Sequence, residues 1–289
     1  MKFKITSILV LSLLYVAANA QETKTLYLSG TGLDDTKTWQ FKCSKGQNSG
    51  KWGKIEVPSQ WELQGYGIYN YGFGFGAKDG FDEGQYKYSF KVPASWKGQD
   101  IKIIFEGVMT DTDVRINGKS AGPVHRGGFY RFSYNVTPLI KCGSTNLLEV
   151  TVKKESDNAS VNNAERHADW WNFGGIYRPV YLTATAKQHI DYYAIDARAD
   201  GTMNVDIEVA EAPEGASIRY SLASLKDPAR SLDSKSLPLK SGKERQSLVW
   251  KDVKTWDCEH PNMYVLTMEL LSAQGKVLHK LDQRVGFRT

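Results

Sequence analysis

The chain has 289 residues, of which 41% are hydrophobic, 12% aromatic and 24% charged. This composition is typical of a folded globular protein and excludes a disordered chain, while the length allows one large domain or two modest ones. The formal net charge of +5 is too small to indicate binding to a polyanion. No nucleic-acid partner is therefore expected.

The first segment of the chain, residues 1–20, has the three parts of a secretory signal peptide. Basic Lys2 and Lys4 precede an apolar stretch, which ends in the small residues Ala18-Asn19-Ala20. The apolar stretch is shorter than the roughly 20 residues that a membrane span needs. The segment predicts secretion or export to the periplasm, a mature chain that begins at Gln21 and no membrane association after signal removal. A buried N-terminal strand is the alternative.

Beyond this segment, apolar and polar residues alternate in short runs. The clearest runs are 86–92, 100–106, 114–119 and 147–152. A period of two residues is typical of half-buried strands, and Asn117-Gly118 is a typical hairpin turn. The sequence contains no amphipathic pattern of three helical turns after residue 20, so the pattern predicts an all-β fold.

The strand pattern divides into two blocks. The first closes with the run 177–184, and a second series of strands begins near His189. The second series has about six or seven strands over about 100 residues, as in immunoglobulin-like domains, and the longer first block suits a jelly roll. We therefore predict a galactose-binding-like jelly-roll β-sandwich over 21–186, followed by an immunoglobulin-like β-sandwich over 187–289.

Cysteine and histidine patterns indicate no metal centre. Cys43, Cys142 and Cys258 are far apart in the chain, without a C-x-x-C pair, and the five histidines form no H-E-x-x-H motif. Neither a metal nor a cofactor is expected. Whether two of the cysteines form a disulfide stays open, since spacing does not assign a pairing.

A glycine- and aromatic-rich run, 65–76, is the first candidate for ligand contact. No helix pattern follows it, which argues against a phosphate-binding loop. Its aromatic rings suit stacking on the C–H face of a sugar. They suit equally well packing of the loop onto its own domain, and both interpretations stay open.

The densest motif runs from Glu165 to Val180, where Asp169 is followed by aromatic residues and then by Gly174-Gly175-Ile176-Tyr177-Arg178. This run resembles the sugar-binding domain of glycoside hydrolase family 2, the family of β-galactosidases, β-glucuronidases and β-mannosidases. Further short motifs of the family occur in this sequence in the same order as in the family. They are Trp52 with Val57-Pro58-Ser59-Gln60-Trp61, and residues 84–93, 105–118, 125–137, 256–264 and 285–289.

The resemblance implies a role in carbohydrate metabolism without catalysis by this chain. In the family, the two β-domains precede a (β/α)₈ barrel that carries both catalytic glutamates. Such a barrel needs about 250 residues, and no Asn-Glu dipeptide of the family's acid/base occurs here. The resemblance therefore implies the non-catalytic N-terminal part of a secreted family 2 enzyme that binds a β-glycoside. The alternatives are a free-standing carbohydrate-binding protein and a subunit that pairs with a separately encoded barrel.

The resemblance also implies site residues. In the family's galactosidases and glucuronidases, an Asp at the position of Asp169 contacts a sugar hydroxyl, so Asp169 is the first candidate for substrate binding. Arg166 and His167 of the same loop are further candidates. Buttressing of the loop is the alternative role for Asp169. Trp170 and Trp171 are expected to be scaffold residues that fill the interface between sheets.

Overall fold

A computed structural model describes residues 21–72 and 82–288. The predicted signal peptide, and the part of the aromatic run from residue 73 onward, lie outside the described residues. Twenty strands are described. Their bounds are β1 Gln21–Glu22, β2 Lys24–Tyr27, β3 Lys37–Cys43, β4 Gly53–Val57, β5 Asn70–Tyr71, β6 Glu83–Lys91, β7 Asp100–Phe105, β8 Asp111–Ile116, β9 Lys119–Ser120, β10 Phe132–Asn135, β11 Thr145–Lys153, β12 Trp171–Asn172, β13 Val180–Thr185, β14 His189–Ala197, β15 Thr202–Ala210, β16 Ser217–Ser224, β17 Asp227–Pro238, β18 Lys243–Val249, β19 Tyr264–Leu271 and β20 Val277–Val285.

Helical structure is sparse in the described residues. The α-helix α1 spans Ala159–Glu165, and two short 3₁₀ helices span Glu62–Gln64 and Ala94–Trp96. With seven residues, α1 is far too short to cross a membrane. The predominance of strands, arranged in several sheets, confirms the all-β fold class.

The first compact unit covers Thr23–Lys187. Its two main sheets have the strand orders β4-β3-β6-β11-β8-β9 and β10-β7-β13-β2, and a small sheet pairs β12 with β5. The alternation predicted from sequence is observed, since Ile101, Ile103 and Phe105 of β7 are buried at every second position. The core contains large aromatic side chains, among them Trp39 and Phe41.

The second compact unit comprises the residues from Gln188 onward together with β1. Its sheets have the orders β14-β15-β18 and β1-β20-β19-β16-β17. Gln21 of β1 pairs in parallel with His279 of β20. The backbone of residues 21 and 22, which the sequence pattern places at the start of the first domain, therefore completes a sheet of the second unit.

The three cysteines are free thiols. Cys43 is buried, Cys142 is partly buried and Cys258 is exposed. Burial raises the pKa of the Cys43 thiol to about 11, because the thiolate would be poorly solvated there. The buried thiol therefore behaves as a small apolar core residue.

Candidate functional site

The turn between α1 and β12 carries the three residues that the resemblance implicates. The side chain of Asn158 caps α1 by accepting a hydrogen bond from the Ser160 amide at 2.9 Å. Beyond the helix, the chain turns into β12, where Trp171 pairs with Tyr71 of β5 in antiparallel register. Regular structure thus holds both ends of the turn that contains Asp169.

Asp169 is exposed at this turn, and its position is set by a side-chain contact. The Tyr71 hydroxyl donates a hydrogen bond to Oδ1 of Asp169. This bond stabilises the protonated phenol beside a carboxylate and so raises the pKa of Tyr71. The carboxylate is therefore held at the surface by a partner from the neighbouring strand.

Gly72 permits the close approach of the β5 segment to the turn. Its amide donates to the Trp170 carbonyl at 2.8 Å. A Cβ atom at residue 72 would lie only 1.7 Å from the carbonyl oxygen of Ala168. The backbone contact that brings Tyr71 to Asp169 therefore requires glycine at this position.

Arg166 is buried, with an exposed fraction of only 2%. Its Nη2 donates to the carbonyl of Phe173 at 2.7 Å, and its Nη1 lies 3.3 Å from the Met109 sulfur. Burial lowers the pKa of Arg166, while the carboxylates of Glu62 and then Glu155 oppose the shift. The guanidinium remains a cation and holds the backbone directly after β12.

His167 is exposed immediately after α1, and its amide donates to the Asn162 carbonyl at 3.1 Å. Arg166 lines the cleft that is described below, whereas Asp169 contacts Tyr71 and lies outside that lining. The three candidates share one turn but differ in environment: one is buried and two are exposed.

A buried ionic cluster, which the sequence motifs did not indicate, lies behind the turn. The Lys154 ammonium is 2.6 Å from Oε1 of Glu62 and 3.1 Å from Oδ1 of Asp82, and all three side chains are almost fully buried. Burial raises the pKa of Glu62, and Lys154 opposes that shift. Trp61 completes the cluster by donating its indole N–H to Asp82 at 3.0 Å.

This ionic cluster positions both sides of the site. The Lys154 ammonium donates to Oδ1 of Asn70 in β5 at 2.8 Å. Oε2 of Glu62 accepts from the Gly174 amide, beyond β12, at 3.0 Å. The only sign of this cluster in the sequence is the position of Lys154. Every second residue of β11 is buried, among them Val150 and Val152, and Lys154 is the next residue in that alternation. A lysine at such a position requires buried carboxylates.

Glu155, next to the cluster, binds a proton near neutral pH. Burial raises its pKa to about 7, and Arg166 and then Lys154 oppose the shift. Its Oε2 atom is buried and has no hydrogen-bond partner among the described residues.

A cleft of about 200 Å³ opens beside the turn. Phe129, Trp170 and Trp171 line it, with exposed fractions of 47%, 45% and 52%. The remaining lining residues are Gln60, Met109, Glu165, Arg166 and Phe173. The expectation that Trp170 and Trp171 fill the interface between sheets is wrong, because about half of each side chain is exposed.

In the described part of the aromatic run, residues 65–72, one ring packs against the core of the domain and others remain partly exposed. Tyr66 packs edge-on against Phe41, and its hydroxyl donates to the Lys54 carbonyl at 2.9 Å. Tyr69 and Tyr71, by contrast, remain 45% and 40% exposed. Up to residue 72, packing onto the domain describes Tyr66, and ligand contact by the exposed rings stays a prediction.

Within the described residues, no group of three or more His, Cys, Asp or Glu side chains has an arrangement that fits a metal ion.

Family models match both units. Residues 37–186 match the model for the sugar binding domain of glycosyl hydrolases family 2, and residues 188–288 match a second model of glycosyl hydrolases family 2. Two successive matched regions cover most of the chain, which therefore belongs to glycoside hydrolase family 2.

Curated relatives include a β-galactosidase of Priestia megaterium, 27% identical over 83% of this chain, and a putative β-glucuronidase of Formosa agariphila, 29% identical over 83%. The chain spans only 25% and 28% of the lengths of these two proteins. The solved β-glucuronidase of Bifidobacterium dentium has the same fold, with a TM-score of 0.71 at 22% identity; the match covers 94% of this chain and 49% of that chain.

Proposed function

We propose that this chain is the non-catalytic N-terminal part of a secreted family 2 glycoside hydrolase. It contributes carbohydrate contacts, led by Asp169 and joined by Arg166 and His167, to an active site whose catalytic glutamates lie in a barrel outside residues 1–289. The substrate is a β-glycoside. This role agrees with relatives named β-galactosidase and β-glucuronidase, of which the chain spans about a quarter.

The exposed carboxylate of Asp169 is the observation that carries the proposal. Tyr71 holds one of its oxygens from the side of β5, and the ionic cluster anchors β5 from behind through Asn70. A carboxylate has two oxygens and about four acceptor sites in all. It can therefore accept a substrate hydroxyl while it keeps the bond from Tyr71, and charge-assisted bonds of this kind are strong.

The function of Asp169 is tested in the presence of a catalytic barrel. The partner for this test is a family 2 barrel, sought in the DNA downstream of the codon for Thr289 or in a neighbouring reading frame and expressed with this chain. Residues 21–289 alone are expected to show no hydrolysis of nitrophenyl β-galactoside or β-glucuronide. With the barrel, Asp169→Asn is expected to lower kcat/KM by about 10- to 100-fold, since a hydrogen bond to a charged group contributes about 1.5–3 kcal/mol.

Glu259→Gln, in an exposed loop of the second unit, is the matched control for loss of one carboxylate. Turnover by residues 21–289 alone would contradict the proposal, and so would an unchanged kcat/KM in Asp169→Asn.

Export is tested separately. We expect the extracellular or periplasmic protein to begin at Gln21, as read by N-terminal mass spectrometry of the processed chain. Retention of Met1 in the mature protein would contradict secretion through this segment.

A free-standing carbohydrate-binding function is the second candidate, and the exposed aromatic cleft favours it. Exposed aromatic side chains beside polar groups are typical of small-ligand sites. Calorimetry of residues 21–289 with galactosides, glucuronides and mannosides decides this candidate, because a free-standing binding protein must bind one of them without a barrel.

A further inference from the structure

We propose that a groove in the second unit, between the edges of β14 and β20, is a docking site for an acidic, extended segment of a partner polypeptide. The segment adds as a strand to the open edge of β20. The inference concerns residues of the second unit alone and is independent of the proposed carbohydrate function.

The groove has a volume of about 910 Å³ and is lined by two stretches of chain. On one side are residues 193 and 195–200, and on the other side are residues 283–286 and 288. Each side thus follows about six residues of chain, which is close to the length of an average strand. A short extended peptide therefore matches the groove in length.

Both strands beside the groove have an edge without a full partner strand among the described residues. β14 pairs with β15 and is the outer strand of its sheet. β20 pairs with β19 on one edge, whereas on its other edge only His279 and Lys280 pair, with β1. This edge of β20 is therefore open over residues 281–285. An open edge presents backbone N–H and C=O groups with which an added strand can pair.

The floor of the groove is apolar and held in place. Val285 is 7% exposed, and Ile195 packs against the core of the second unit. The Tyr193 hydroxyl donates to Oε1 of Gln283 at 2.8 Å and joins the two sides where both stretches begin. A preorganised floor loses little conformational entropy when a ligand packs on it. It therefore suits the apolar side chains of a peptide.

The rim of the groove offers positive charge to a partner. Asp196 pairs with Arg198 at 3.0 Å, and Oδ1 of Asp200 accepts from a backbone amide at 2.8 Å. Arg284 and Arg288 are exposed, and neither forms an ion pair with a carboxylate of the described residues. Both aspartates of the rim thus have partners, while two guanidinium groups can bind carboxylates of another chain, in bidentate geometry.

The spacing of these two arginines defines the partner further. Arg284 and Arg288 are four residues apart, which is about 13 Å along an extended chain. The Arg288 guanidinium lies 6.0 Å from the centroid of the Trp256 ring, a contact that orients it. Since side chains alternate between the two faces of a strand, carboxylates at positions i and i+4 of an added strand can reach both arginines. The residues at i+1 and i+3 then face the apolar floor.

The test is an NMR titration of residues 21–289 with a pentapeptide, acetylated and amidated at its ends, of the sequence glutamate-valine-threonine-valine-glutamate. The acidic peptide is expected to bind with a Kd on the order of millimolar and to shift the amide signals of residues 281–285. It is also expected to slow hydrogen exchange of the β20 amides that point away from β19, because an added strand pairs with them.

Two matched peptides separate charge from strand pairing. Lysines in place of both glutamates are expected to weaken binding about tenfold, because like charges then face each other. N-methylation of the three central residues keeps both carboxylates but removes the backbone donors. This peptide is expected to lose the protection of the β20 amides.

The variants Arg284→Gln and Arg288→Gln are each expected to weaken binding of the acidic peptide about two- to fivefold, as loss of one exposed ion pair predicts. Arg245→Gln is the matched control. It removes an exposed arginine of the same unit that pairs with Asp206, and it is expected to leave Kd unchanged. Circular dichroism verifies the fold of each variant.

Three results would overturn the docking site: no shift at residues 281–285 with the acidic peptide at a concentration on the order of millimolar, equal binding of the acidic and lysine peptides, or equal β20 protection by the N-methylated peptide. Concentration-dependent self-association that Arg284→Gln abolishes would also overturn it, because the groove would then be an interface between copies of this chain. No readout involves a sugar, so failure here leaves the kinetic test of Asp169 independent.

Discussion

At the scale of single residues, Lys154 is the side chain on which the site depends most. One ammonium faces two buried carboxylates, Glu62 and Asp82, and it also bonds to Asn70 of β5. Removal of one partner from such a cluster leaves an uncompensated charge in a low-dielectric environment. The resulting loss in the free energy of unfolding is larger than the stabilisation that the ion pair itself contributes. The position of β5, and with it the contact from Tyr71 to Asp169, therefore depends on a residue distant from the motif.

Lys154→Met is expected to lower the free energy of unfolding by about 3–5 kcal/mol, because two carboxylates remain buried without their cation. Urea denaturation measures the loss. Lys153→Met is the matched control: this neighbouring lysine is 45% exposed and pairs with Asp157, so its replacement is expected to cost less than about 1 kcal/mol. Equal losses in the two variants would contradict the assignment of the buried cluster.

The buried members of the site were the hardest to predict from sequence. Asp169 was found through a local motif, since it lies among aromatics and glycines in one short run. Lys154, Glu62 and Asp82 come from three separate segments, and no spacing rule links them. Only the burial of all three side chains reveals that they act together.

At the scale of elements, the small β5–β12 sheet fixes the position of the turn that carries Asp169 and brings Tyr71 into contact with it. Each of its strands has only two residues, too few for a periodic pattern to predict. The pairing exposes Trp171 and Tyr71 and brings Gly72 against the Trp170 carbonyl. The sequence-based expectation that the tryptophans fill the interface between sheets did not take this short pairing into account.

Gly72→Ala is expected to separate the two strands, because the added methyl group would lie 1.7 Å from the Ala168 carbonyl oxygen. We expect a stability loss of about 1–3 kcal/mol, as for other overpacked positions, and large amide shifts at Tyr71 and Asp169 in NMR spectra. Gly32→Ala is the control, since a methyl group there meets nothing within 4 Å. Unchanged amide shifts in Gly72→Ala would show that the strands tolerate a Cβ atom.

At the scale of the whole molecule, each unit has its own core and its own electrostatics. Apolar residues of β15, such as Val205 and Ile207, pack with Tyr220 and Trp250 in the second core. That unit also contains two histidines, His189 and His279, whose ring centroids are 5.9 Å apart and which are almost fully buried. Stability of the second unit is therefore expected to depend on pH.

Burial, followed by the neighbouring His189, lowers the pKa of His279 from 6.5 to about 4. The unfolded chain then binds the proton before the folded one. The contribution of the neutral His279 side chain to the free energy of unfolding is complete above pH 6.5. It is lost as the pH falls from 6.5 toward 4. The loss is expected to be on the order of 3 kcal/mol.

Thermal unfolding between pH 7 and pH 4.5, followed by near-UV signals of the second unit, measures this dependence. His279→Leu is expected to flatten the pH profile. An equally steep profile in His279→Leu would assign the pH dependence to other groups.

The amino-acid sequence by itself determined the all-β class, the resemblance to family 2 and the place of Asp169 in its motif. These depend on alternation and on short contiguous runs, which are local properties of the chain. The tertiary structure alone decided that Arg166 is buried, that Trp170 and Trp171 are exposed beside a cleft, and that β1 joins the second unit. Burial and strand pairing depend on segments far apart in the chain, and no local pattern encodes which of them meet.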